Sequence, residues 1–118
     1  MVHATIRMII PRKKRDEALK ILRSMAAECE VHSGCLGFHI YEDLQEDNVL
    51  MVEETWRNEE DLTQHLRSEK YRDVLLVMEM ALKHPEVRFY TVSTSAGIET
   101  IERLRSSKEQ SGHAGGKK

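Results

Sequence analysis

Apolar and polar positions alternate from the first residues of the chain. Val2, Ala4, Ile6, Met8 and Ile10 fall on one side, with His3, Thr5 and Arg7 on the other. That period of two predicts a β-strand, which Pro11 ends. From Arg12 to about His32 the apolar residues change spacing, to Ala18, Leu19, Leu22, Met25, Ala26 and Cys29. Steps of three and four make one helical stripe. Ser33-Gly34 supplies its stop, with Gly34 expected in the left-handed position past the helix end. Alternation returns from Cys35 to Asp43, where Leu36, Phe38 and Ile40 oppose Gly37, His39 and Tyr41. The polar turn Leu44 to Asn48 leads into Val49–Trp56, so the two runs predict a β-hairpin. Asn58 is placed to cap the next helix, with Asp61 three residues on as a variant of the capping box. Leu62, His65 and Leu66 lie on one side of that helix. Ser68 restarts the pattern, and Tyr71, Val74, Leu75, Met78 and Leu82 form a further stripe that ends before Pro85. A last strand is expected over Val87 to Ser93.

The order is β-α-β-β-α-β, an α+β arrangement of the ferredoxin-like kind. One domain is expected over residues 1–97, followed by a short amphipathic helix over 98–105 carrying Ile98, Ile101 and Leu104. From Ser106 to the end, Ser, Gly, Lys and Gln dominate without apolar periodicity, and a disordered tail over 106–118 is expected. Right-handed crossovers put both helical layers on one face of the sheet. The runs Met8-Ile9-Ile10 and Val49-Leu50-Met51-Val52 look apolar on both sides, so the second face is expected to need cover. An identical subunit, packed about a two-fold axis, is the simplest cover, and a homodimer is expected.

Composition narrows the function. The chain has 118 residues, 40% apolar and 32% charged, with a net charge of −2. That balance has no basic footprint for nucleic acid. No run approaches the ~20 apolar residues that cross a bilayer, and the first residues lack the features of a signal peptide. A cytoplasmic home is the expectation. Cys29 and Cys35 are too few for a disulfide framework and are expected to be small, buried, reduced side chains. The six histidines show no metal-ligand spacing, so no metal is expected. The basic run Arg12-Lys13-Lys14-Arg15 opens a helix, where cations oppose the dipole. It is read as a solvated turn, with anion binding as the other reading.

The run Glu54-Thr55-Trp56-Arg57-Asn58-Glu59-Glu60-Asp61-Leu62-Thr63-Gln64-His65-Leu66-Arg67-Ser68 carries a resemblance. It resembles the Glu-x-Trp strand end and His-Leu-x-Ser helix of the antibiotic biosynthesis monooxygenase family. Ser33-Gly34-Cys35-Leu36-Gly37 is similar to that family's small-residue entry to the second strand, and the likeness spans about Val2 to Ser93. It implies a dimeric α+β barrel and leaves the chemistry open, because one scaffold hosts several activities. The heme-degrading branch carries an asparagine, a tryptophan and a heme-ligating histidine at the places that fall here on Ile6, His65 and Leu75. None of the three matches, so that branch is set aside.

Candidate chemistry centres on His65, whose imidazole is the side-chain type suited to exchanging a proton with a phenolic substrate. The alternative is a histidine hydrogen-bonded within the fold. Trp56, at the end of the third strand, can wall a pocket or serve packing alone, with Ile6 and Leu75 as further walls. Tyr71 can hydrogen-bond a ligand or be a structural tyrosine. Glu54 shares a strand face with Trp56 and reads as half of an ion pair, within the chain or across a dimer. The expected function is cofactor-independent oxygenation of a small electron-rich aromatic of the hydroquinone kind. The alternatives are a non-catalytic dimeric module that binds a small ligand or a protein, and an isomerase-like member.

Overall fold

A computed structural model describes the backbone of residues 1–113 and the side chains of residues 1–106. Its elements are β1 (Val2–Ile9), α1 (Arg15–Val31), β2 (Cys35–Glu42), β3 (Val49–Trp56), α2 (Glu59–Arg67), α3 (Tyr71–Glu79), β4 (Glu86–Thr91) and α4 (Glu99–His113). The strands form one antiparallel sheet in the order β2-β3-β1-β4. This is the ferredoxin-like α+β fold. The sheet is open, with β2 and β4 as its edges, and is not a closed barrel.

The strand alternation does what it predicts. Ala4, Ile6 and Met8 of β1 are buried, and Leu50 and Val52 of β3 lie opposite Met8 and Ile6 on the same face. Against that face pack Leu22 and Met25 of α1 and Val74 and Val77 of α3. Each fully buried aliphatic side chain contributes about 1.5–3 kcal/mol, so this layer is what holds the helices to the sheet. The basic run Arg12–Lys14 forms a 3-10 turn ahead of α1, and Arg15 pairs with Glu42 of β2 at 2.9 Å.

The second face of the sheet differs from expectation. Register brings Arg7, Met51 and Tyr41 into one row across it, and Thr5, Glu53 and His39 into the next. Arg7 reaches Glu46 at 3.0 Å and lies 3.6 Å from both Asp43 and Glu86. Tyr41 donates to Glu53 at 3.3 Å. The face is therefore mostly polar. Leu50 and Val52 point to the helices, and only Val49, Met51 and Ile9 are aliphatic on the other side. The bare apolar surface lies elsewhere. Val87 and Phe89 of β4 pair with Ile6 and Ala4, so they share the helix-bearing face, yet Phe89 is 51% exposed.

The link from α1 to β2 corrects two expectations. Cys29 and Cys35 are not reduced thiols but partners in a disulfide, because the strand start folds back beside the helix end with the Cα atoms 5.3 Å apart. Gly34 is not in the left-handed region, which among the described non-glycine residues only Asn48 occupies, in the hairpin turn. Gly34 is needed for space: a Cβ there would lie 2.5 Å from Cγ of Asp61.

α4 runs on to His113, past the helix expected over 98–105. Arg103, Arg105, Lys108, Glu109 and Gln110 are strong helix formers, so intrinsic propensity carries the helix where apolar periodicity does not. The rest of the expected tail, 114–118, lies outside the described residues. Among the described residues no helix is long and apolar enough to cross a membrane.

Candidate functional site

Glu54 and Trp56 stand two residues apart on β3 and share the face toward the helices. Trp56 packs against Val2 and Leu62. Its indole Nε1 donates to Oε1 of Glu54 at 2.9 Å, and Glu54 is only 2% exposed. A carboxylate so deeply buried needs partners, since an isolated charge there would be costly. The second partner is His65 of α2. Its Nε2 lies 3.2 Å from the same Oε1, close enough for an ion pair but poorly aligned for a hydrogen bond.

Three rings complete the cluster. The His65 imidazole stacks on the Trp56 indole with centroids 4.5 Å apart, and Tyr71 meets His65 edge-on at 5.1 Å. His32 lies edge-on to Trp56 at 5.3 Å, with its Nδ1 accepting from the Gly34 N–H at 3.0 Å. Burial first, and then the charge of Glu54, push the Tyr71 hydroxyl up to about 12. At neutral pH Tyr71 is therefore a donor and never an anion.

Local structure sets this geometry. Asn58 caps α2 by accepting from the Asp61 N–H at 2.9 Å, as the capping pattern predicts. Arg57 Nε donates to Asp61 at 2.8 Å and ties the end of β3 to the first turn of α2. At the other end, Ser68 Oγ donates to the His65 carbonyl at 2.7 Å and accepts from the Tyr71 N–H at 3.3 Å. One hydroxyl thus joins the end of α2 to the start of α3 and fixes the spacing of His65 and Tyr71.

Trp56 and His65 form one wall of a cavity of about 300 Å³, with Phe38 and Met25 adding apolar surface and Gln64 and Lys70 polar groups. That volume is at the small end of ligand pockets and suits a compact ring system.

The structure brings His65, Trp56 and Tyr71 together. Of these only Trp56 and His65 line the cavity; Tyr71 stands buried behind His65, and neither Ile6 nor Leu75 reaches the cavity. Ile6 is buried in the core at the centre of the sheet. Leu75 is 45% exposed and faces a shallow groove beside Leu82 and Pro85, because the buried stripe of α3 is Tyr71, Val74 and Val77. Glu54 was undervalued by sequence reasoning: its ion pair is with His65 of its own chain. The available signal was a carboxylate on the apolar side of a strand, two residues before a tryptophan. His32 gave no such signal, since only the fold carries it to Trp56.

Comparison with known proteins agrees with this architecture. The family model for antibiotic biosynthesis monooxygenase matches residues 1–75. Among solved structures, a conserved protein from Methanosarcina mazei is 24% identical with a TM-score of 0.70, covering 75% of this chain and 89% of that one. Rv0793 from Mycobacterium tuberculosis is 21% identical with a TM-score of 0.72, over 81% of this chain and 98% of its own. A Deinococcus radiodurans protein named as a candidate antibiotic biosynthesis monooxygenase is 17% identical with a TM-score of 0.74, over 83% and 98%. At these identities the likeness is one of fold. No curated protein matches the chain.

Proposed function

The chain belongs to the antibiotic biosynthesis monooxygenase family, and we propose that its cavity oxygenates a small electron-rich aromatic of the hydroquinone kind without a bound cofactor. The observation that carries this reading is His65, set between a buried carboxylate and an aromatic wall on an open cavity. His65 takes the phenolic proton, and the nearby charge of Glu54 stabilises the imidazolium that results. The substrate anion passes an electron to O₂. One oxygen atom ends on the ring and the other leaves as water, so a hydroquinone and O₂ give a hydroxyquinone and water. Tyr71, kept protonated, holds the edge of the His65 ring.

The working unit in this reading is a homodimer. What supports it is the uncovered apolar surface at Val87 and Phe89, together with two open sheet edges.

Oxygen uptake with a panel of hydroquinones and anthrones, without added cofactor, tests the chemistry. Stimulated uptake that falls in His65→Ala supports the oxygenase. A protein inactive across the panel, but binding the same rings, moves the assignment to a non-catalytic module.

A further inference from the structure

The link between α1 and β2 places a second reactive group in the same cavity. Cys29, near the end of α1, and Cys35, the first residue of β2, are joined by a disulfide. Both residues are half-buried and both line the cavity that Trp56 and His65 wall.

As a staple this bond is poorly placed. Closing so short a loop removes little chain entropy, so the bond stabilises at the low end for a cross-link. The loop is already held by the His32 N–H on the Cys29 carbonyl at 3.1 Å and by the Cys35 N–H on the His32 carbonyl at 3.0 Å. The Arg57 N–H adds a third tie, to the Gly34 carbonyl at 2.8 Å. A domain with this much buried core does not depend on a disulfide to fold. Accessible disulfides are the ones that exchange.

We propose that Cys29 and Cys35 are a redox-active pair of the cavity, and that their dithiol form reduces a quinone held against Trp56. This rests on the reading of the cavity as a site for a small aromatic ring. One thiolate adds to a ring carbon and forms a C–S bond. The other sulfur attacks the first, the S–S bond forms, the C–S bond breaks, and the electron pair stays on the ring. The two protons given up by the thiols end on the two ring oxygens. Dithiol and quinone thus become disulfide and hydroquinone, and an external dithiol returns the pair to its reduced state. The product is of the class that the proposed oxygenation consumes, so the pair regenerates substrate from quinone.

The test uses the full chain, reduced, freed of reductant under argon, and checked by circular dichroism for a retained fold. It is mixed with one equivalent of tetramethyl-p-benzoquinone. The expected result is loss of two hydrogens from the protein mass and release of one equivalent of hydroquinone. The rate should exceed that of the same concentration of dithiothreitol by about tenfold or more, because the ring is held beside the sulfurs. Cys29→Ser and Cys35→Ser should each release no hydroquinone. Quenching of Trp56, the only tryptophan in the chain, by tetramethylhydroquinone in the disulfide form tests the cavity separately. Quenching without the accelerated reaction overturns the redox pair and leaves the cavity reading standing. Absence of both overturns the two together. Hydroquinone release that persists in either serine variant also overturns the pair.

Discussion

The two groups that answer the buried charge of Glu54 are the indole N–H of Trp56 and the imidazole of His65. Substituting His65→Ala should lower the oxygenation rate by about 10²–10⁴, the usual cost of losing a general base, with the fold retained in a melting curve. Trp56→Phe keeps an aromatic wall but loses the Nε1 donor to Glu54, so its effect should fall on substrate affinity and on stability together. Tyr71 gives a pH test that needs no substrate. The folded chain holds its phenolic proton up to about 12, whereas an unperturbed tyrosine releases it near 10.0. This contribution to stability is intact below pH 10 and is lost as pH rises from there toward 12, on the order of 2–3 kcal/mol. Denaturant midpoints across that range should fall more steeply for the wild type than for Tyr71→Phe; equal slopes would show that the hydroxyl is not buried. At this scale the sequence shows residue types and their strand faces, which is why His65, Trp56 and Tyr71 were found. It does not show that Glu54 and His65 meet, because their contact depends on where α2 lies over β3.

Among the elements, the turn from α1 to β2 and the start of α2 act as one unit, since Gly34 and Asp61 occupy adjoining space. Asp61 is tied to Arg57 and to the capped first turn of α2, so it has little freedom to give way. Gly34→Ala should therefore cost about 1–3 kcal/mol, the usual range for overpacking. In thermal melts, Asp61→Ala placed in the Gly34→Ala background should cost less than Asp61→Ala alone, because it also relieves the clash. Strict additivity of the two would show that the close approach is not what requires glycine. The alternation of β1 and the cap at Asn58 were legible because both signals are local. Gly34 was assigned the wrong reason for being glycine: its neighbour in space is twenty-seven positions away in sequence. The stripe expected on α3 includes Leu75 and Leu82, which stand exposed, and omits Val77, which is buried, since period alone does not say which of two adjacent apolar residues faces the sheet. α4 runs past the end expected for it because helix propensity continues where apolar periodicity stops.

At the scale of the whole molecule, the question is what covers the apolar surface that one chain leaves bare. The sequence argued for a dimer from an apolar second face of the sheet, and that face turned out mostly polar, with Arg7 set among Asp43, Glu46 and Glu86. The case for a second copy now rests on β4. There Phe89 and Val87 extend the helix-bearing face beyond the reach of α1 and α3 and stand open to solvent. A two-fold interface uses each residue twice, so one substitution removes two contacts. Burying a phenylalanine contributes about 2 kcal/mol, and losing two of them should weaken association by about 10³-fold. Phe89→Glu should do at least that, since it also asks the interface to desolvate two carboxylates. Sedimentation equilibrium over a concentration series should give a dimer for the wild type at micromolar concentration and a monomer for Phe89→Glu, with circular dichroism unchanged. A wild-type monomer would remove the dimer. A Phe89→Glu dimer as tight as the wild type would keep it and move the interface away from β4, leaving exposed Ile98, just before α4, and Ile101 and Leu104 within it as the residues to substitute next.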